Sequence, residues 1–260
     1  MIDVDHSSRA SLTPGDVHVR YRLTDDLDAD ARRTALSVLS SDERARYERF
    51  RLDGDRHEFA AAHALLRTTL SEFDRIGPRD WRFDAGSHGK PVLAPGLSAL
   101  PLSFNLSHAR GLVACAVALG ADVGLDVELV TRATDWRAIA SRFFPSTEIA
   151  QIDGVAEAGR ATRFFEIWTL KEAFAKALGV GLSQSLDASA FDLADASAIT
   201  CALPPAVDAA VWHFALYTPA PDHRLALAVS DGSVRQWRVH VRACDEDAVQ
   251  PARLLRTSAG

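Results

Sequence analysis

From residue 55 to residue 73 the apolar positions recur at helical spacing. Phe59, His63, Leu66, Leu70 and Phe73 follow at steps of four, three, four and three, which predicts an amphipathic helix. His63 lies on that apolar stripe and is expected to be a hydrogen-bonded core residue rather than a metal ligand. Leu102, Phe104 and Leu106 then alternate with Ser103, Asn105 and Ser107, the pattern of a half-buried strand. A turn at Ala109-Arg110-Gly111 leads into the apolar run Leu112 to Leu119, completing a hairpin. A second helix is predicted from Thr162 to Leu178, stopped by Gly179. A second hairpin is predicted from Trp212 to Tyr217 and Arg224 to Val229. Helix then hairpin therefore occurs twice, which predicts two similar halves, 1–120 and 121–243. Residues 244–260 are polar and rich in small residues and are expected to fray.

Composition narrows the class of protein. A chain of 260 residues with 47% hydrophobic and 25% charged residues is an ordinary globular sequence. Its formal net charge of −6 argues against general affinity for nucleic acid or an anionic membrane, so any bound anion must meet a local basic patch. Cys115, Cys201 and Cys244 fit neither a disulfide framework nor a metal knuckle, which predicts a reducing, cytoplasmic setting. The first twelve residues have no apolar core to act as a signal peptide. No Walker loop, dinucleotide fingerprint, H-E-x-x-H or nucleophile elbow is present.

Two segments carry candidate chemistry. In Val123-Gly124-Leu125-Asp126-Val127-Glu128-Leu129, an extended chain puts the aliphatic residues on one face and Asp126 with Glu128 on the other. Their Cα atoms would lie about 7 Å apart, close enough to favour a hard divalent cation. From this segment alone a solvated acidic strand face is the favoured reading, because D-x-E is common. The second segment, Trp168-Thr169-Leu170-Lys171-Glu172-Ala173-Phe174-Ala175-Lys176, places Trp168, Glu172 and Lys176 on one helical stripe with Phe165. A Glu followed by Lys at i+4 is commonly just a surface pair. Here aromatic residues frame it, so Glu172 could add a third carboxylate to a metal site and Lys176 could neutralise an anion held there.

Together these segments resemble the 4'-phosphopantetheinyl transferases of the larger, surfactin-type class. That family carries a G-x-D-x-E strand followed by a W-[ST]-x-K-E-x-x-x-K helix, matched here by Gly124 to Glu128 and Trp168 to Lys176. His88-Gly89-Lys90-Pro91 resembles its G-K-P loop, and Phe104-Asn105-Leu106-Ser107-His108 its F-N-x-S-H strand end. Arg142-Phe143-Phe144 with Glu148 resembles the segment joining the two signatures. The similarity runs in order from about residue 40 to residue 193.

The resemblance implies an α+β fold whose two halves are related by a pseudo-twofold axis, with coenzyme A in the cleft between them. It implies that Asp126, Glu128 and Glu172 hold magnesium and that Lys176 and Lys171 balance pyrophosphate charge. Glu172 would also be the general base. Lys90 is expected at the adenine end, Ser107 and His108 near the 3'-phosphate, and Arg46 as a basic ligand group. The implied reaction moves phosphopantetheine from coenzyme A to a serine of an apo acyl or peptidyl carrier protein and releases 3',5'-ADP. A carrier would dock near Trp136, Phe143 and Phe144, and the enzyme would act as a monomer. A magnesium-dependent phosphohydrolase or nuclease, and a non-catalytic nucleotide-binding module, are the alternatives. The sequence departs from the family at Glu43, where a basic residue is expected (Arg44 beside it is the candidate substitute), at Ala109 and at Phe59.

Overall fold

The computed structural model describes residues 11–25, 27–86, 89–179, 189–233, 236–244 and 251–258. Twelve strands and six α-helices follow in the order β1 (Asp16–Leu23), α1 (Ala29–Val38), α2 (Ser41–Glu48), α3 (Asp53–Phe73), β2 (Phe83–Ala85), β3 (Pro91–Leu93), β4 (Leu102–Ala109), β5 (Leu112–Leu119), β6 (Asp122–Leu129), α4 (Trp136–Phe143), α5 (Ser146–Asp153), α6 (Glu157–Leu178), β7 (Ala190–Asp192), β8 (Ala198–Ala202), β9 (His213–Thr218), β10 (His223–Ser230), β11 (Arg238–Ala243) and β12 (Arg253–Ser258). The fold is α+β, as expected. No helix among the described residues is long and apolar enough to cross a membrane.

Two sheets, ordered β11-β1-β5-β4 and β6-β10-β9-β12-β8-β7, pack face to face. The alternation of β5 decides how. Ala114, Ala116 and Ala118 point into the inter-sheet core with Val123, Leu125 and Val127 of β6, while Val113, Cys115 and Val117 point out to α3. On the far side α6 covers β6 and β10, burying Phe164, Phe165, Leu170 and Phe174. The order is therefore helix, sheet, sheet, helix. Burying aliphatic side chains of this size stabilises by about 1.5–3 kcal/mol each.

Both predicted helices and both hairpins form. Gly179 ends α6 in the left-handed region (φ 66°), and Gly111 turns β4 into β5 (φ 86°). His63, half-buried, hydrogen-bonds Glu43 at 2.9 Å and packs against the Phe59 ring, so it is hydrogen-bonded within the protein as expected.

Two expectations about the C-terminal part of the chain need correcting. β11, in the segment assigned to the second half, pairs in parallel with β1 and so completes the first sheet. Arg253–Ser258, in the segment expected to fray, form β12 between β9 and β8. A polar strand is stable there because its backbone groups bond neighbours on both sides, which hydrophobic patterning does not report.

Candidate functional site

The edges of the two sheets meet at β4 and β6, and polar side chains join them. Asn105 Oδ1 accepts from the Leu125 amide at 2.9 Å, and Ser107 Oγ accepts from the Val127 amide at 3.2 Å. These bonds satisfy β6 amides that face no backbone partner on that side. Both side chains are consequently buried, although strand alternation put them on a polar face.

The face of β6 carrying Asp126 and Glu128 is largely covered by α6, leaving Asp126 buried and Glu128 half-buried. Gly124 makes this close approach possible. A Cβ there would lie 1.9 Å from the Ala173 carbonyl oxygen and 2.4 Å from the Ala177 amide nitrogen. With α6 seated so tightly, its stripe of Trp168, Glu172 and Lys176 meets the strand acids directly. Trp168 Nε1 donates to Glu128 at 3.0 Å. Lys176 Nζ donates to Asp126 Oδ1 at 2.7 Å and to Ser107 Oγ at 2.9 Å, and Ser107 donates to Asp126 at 3.1 Å.

Charge in this cluster is only partly balanced. Burial pushes the Glu172 carboxyl up to about 7, with further repulsion from Asp126 and Glu128. Burial and the Asp126 charge push Glu128 to about 7 as well, against the pull of Arg132. The buried Asp126 Oδ2 and Glu172 Oε1 have no hydrogen-bond partner among the described residues. Orphaned buried acceptors are costly, and together with hard carboxylate donors they suit a magnesium ion. Even so, among the described residues no three His, Cys, Asp or Glu side chains are arranged to hold a metal. Two cations of the chain already sit on the acids: Lys176 on Asp126, and Arg132 on Glu128 at 2.9 Å.

The cluster opens into a cleft of about 830 Å³, walled by Ser107, His108 and Arg110 on one side and by Asp126, Glu128, Arg132 and Lys176 on the other. Glu172 lies behind this wall, buried beside Asp126.

The remaining expected site residues fall into place unevenly. His108 is exposed on the cleft wall. Ser107 is buried and its hydroxyl is engaged by protein groups. Lys90 lies apart, lining a separate hollow of about 270 Å³, where its ammonium donates to the carbonyls of Val123 and Ala177. Arg46 is exposed over the Phe59 ring, away from the cleft. Arg44 donates to the carbonyls of Ser37 and Leu39, which commits it to capping α1. His88 lies outside the described residues.

Lys171 is a clear correction. One step from Glu172, it is turned about 100° around the helix, away from the cleft. It is fully buried, paired with Glu148 at 3.0 Å and bonded to the Ser189 carbonyl. Phe144 is also unavailable to a partner, being buried in stacks with Phe164 and Trp168. Trp136 and Phe143 are half-buried beneath Arg137 and Arg142.

Glu43 departs from the family for a visible reason. It caps α2 with Ser40 and binds both Arg67 and His63. Burial pushes its carboxyl up, but the bonds from His63, Arg67 and the Ser40 amide outweigh this and hold it at about 2. Arg132 was missed in the sequence, because pairing across a strand end and the turn after it follows no periodic rule.

Residues 122–229 match the family model of the 4'-phosphopantetheinyl transferase superfamily, and residues 29–119 match that of the 4'-phosphopantetheinyl transferase N-terminal region. The chain is 33% identical over 174 residues to the 4'-phosphopantetheinyl transferase HetI of Nostoc sp., covering 67% of this chain and 73% of that protein. It is 30% identical over 170 residues to a 4'-phosphopantetheinyl transferase of Bacillus subtilis, covering 65% and 73%. A solved structure of holo-[acyl-carrier-protein] synthase from Thermotoga maritima aligns with TM-score 0.34 and 25% identity, covering 45% of this chain and 63% of that one.

Proposed function

The chain belongs to the 4'-phosphopantetheinyl transferase superfamily, and we propose on that premise that the 830 Å³ cleft is where it moves the phosphopantetheine arm of coenzyme A. The acceptor is a serine of an apo acyl or peptidyl carrier protein, and 3',5'-ADP leaves. What carries the assignment of the site is one observation: the buried, partnerless oxygens of Asp126, beside Lys176 at the wall of that cleft, and of Glu172 behind it.

Magnesium held by Asp126, Glu128 and Glu172 supplies charge neutralisation at the pyrophosphate when bound. The carrier serine oxygen forms a bond to the phosphorus that bears pantetheine, and the bridging P–O bond breaks toward 3',5'-ADP. Glu172, buried beside Asp126, is the carboxylate assigned to take the serine proton, directly or through a water. Lys176, held by Asp126 and Ser107, meets charge that develops on the leaving oxygens. His108, exposed on the wall, is the group we assign to the 3'-phosphate. One chain supplies both cleft walls, which supports a monomer.

Intact-protein mass spectrometry tests the reaction. With coenzyme A and magnesium, an apo carrier should gain one phosphopantetheine mass, and Asp126→Ala should slow this by about 10²–10³-fold, the scale of losing one electrostatic contributor. No gain on any carrier of a broad panel would remove the assignment. Coenzyme A cleaved without a carrier would favour the phosphohydrolase alternative.

A further inference from the structure

We propose that Arg132 is a displaceable counter-ion. It holds Glu128 until a divalent cation takes that carboxylate, and the released guanidinium then becomes a binding group for the phosphate-bearing substrate in the cleft. The proposal rests on the metal reading above and adds a residue to it.

The geometry supports the first half. Arg132 grips both oxygens of Glu128, Nε to Oε2 at 2.9 Å and Nη2 to Oε1 at 3.1 Å. A bidentate guanidinium covers the edge of the carboxylate that a metal ion needs. Trp168 Nε1 also lies on Oε1 at 3.0 Å. With Lys176 on Asp126, the ligand set is closed by the chain's own cations, which explains why no three carboxylates gather at one point. The two closures are unequal. Lys176, 31% exposed, is held by two residues, Asp126 and Ser107, whereas the Arg132 side chain, 39% exposed on the turn after β6, hydrogen-bonds Glu128 alone among the described residues. A guanidinium with one acidic partner gives up fewer partners on leaving than an ammonium held by two residues, so Arg132 is the cation that leaves.

The second half follows from where it goes. The guanidinium is 5.1 Å from the centre of the Phe165 ring, a stacking contact that does not depend on Glu128. Pivoting on that ring keeps the charge beside the cleft it already lines. Arginine matches phosphate oxygens with the same fork that it uses on carboxylate.

Calorimetric titration of the full chain with Mg²⁺, and separately with coenzyme A in saturating Mg²⁺, reads both halves. Arg132→Gln should bind Mg²⁺ about two- to fivefold tighter, the range expected for removing a competing ion pair, and bind coenzyme A about tenfold more weakly or worse, as for losing a charged hydrogen bond. Arg132→Lys, which keeps charge but not the fork, should fall between. Arg110→Gln removes a charge from the same cleft without touching Glu128, and should leave the Mg²⁺ affinity within about twofold. Unchanged or weaker Mg²⁺ binding in Arg132→Gln, or an equal gain in Arg110→Gln, overturns the counter-ion. Unchanged coenzyme A affinity overturns the phosphate role. If Asp126→Asn binds Mg²⁺ as the wild type does, the metal reading itself has failed and the proposal falls with it, a result distinct from the others.

Discussion

Lys171 and Glu172 are neighbours in the chain and stand at the centres of two charged clusters on different faces of one helix. On one face Lys171 meets Glu148, which also accepts from the Phe191 amide at 2.8 Å, and the pair is closed to solvent. On the other, Glu172 meets Asp126 and Glu128 beneath an open cleft, with carboxylate oxygens left over. Burial raises both glutamates to about 7, so a displaced pKa does not by itself tell the clusters apart. The neighbours do. Around Glu148 the other influences, from Lys171 and the Phe191 amide, all pull the value back down, whereas around Glu172 Asp126 and Glu128 push it further up against the pull of Lys176 and Arg132. Glu148 Oε2 also lacks a hydrogen bond, but its charge is met by Lys171, and this buried ion pair fastens α5, α6 and the segment leading into β7. A cluster that cannot balance itself invites a ligand.

The largest effect expected is from Gly124→Ala, which should collapse the contrast altogether. The added methyl cannot sit 1.9 Å from a helix carbonyl oxygen, so α6 must leave β6 and take Glu172 and Lys176 from Asp126. A helix backbone gives way less readily than a flexible side chain, so the cost should exceed both the about 1–3 kcal/mol usual for overpacking and the about 3–5 kcal/mol of a broken buried ion pair. Thermal unfolding should show a large drop in Tm, and any folded fraction should lack transferase activity. Normal activity at a normal Tm would mean that the close approach does not set the site.

Next comes the closed cluster. Lys171→Met leaves Glu148 buried and unpaired, and breaking such a pair typically costs about 3–5 kcal/mol. Adding Glu148→Gln should return much of that loss, because two neutral groups remain where a single charge stood. Urea unfolding measures both variants. In the double variant kcat should recover along with stability, since neither residue reaches the cleft. A variant that is stable yet inactive would restore Lys171 to the coenzyme A site.

Much of this was legible in the sequence. The stripe of Phe59, Leu66 and Leu70 gave α3, the alternation through Leu102, Phe104 and Leu106 gave β4, and the i, i+4 spacing of Trp168, Glu172 and Lys176 put three site residues on one face. Spacing along an element says which side chains travel together. It does not say what covers them. So Asp126 and Glu128 share a face as expected, yet Gly124 and α6 turn that face inward. Lys171 was assigned by motif, and motif adjacency ignores the turn of the helix between consecutive residues. β11 and β12 owe their places to backbone pairing with strands far off in sequence, and Leu254 in β12 remains 49% exposed, so no apolar alternation marks it.

The smallest effect, and one of opposite sign, is expected in the open cluster. Glu172 has a folded-state pKa of about 7 against an ordinary value of 4.5. Between those values the native state binds more protons than the unfolded chain, so this group's contribution to stability falls as pH rises from about 4.5 to about 7. Above pH 7 the folded protein carries a buried, poorly balanced charge. Glu172→Gln removes that share of the slope. Below pH 4.5 variant and wild type should unfold alike, and by pH 8 the variant should be the more stable, by on the order of 3 kcal/mol. Saturating Mg²⁺ at pH 8 should narrow the gap by stabilising the wild type more than the variant. Activity should move the other way, falling about 10²–10⁴-fold with loss of the proton acceptor. A site tuned for chemistry gives up stability in this manner. Parallel stability curves from pH 4 to pH 8 would show that the Glu172 charge is balanced in the folded protein, and would remove the distinction between the two faces of α6.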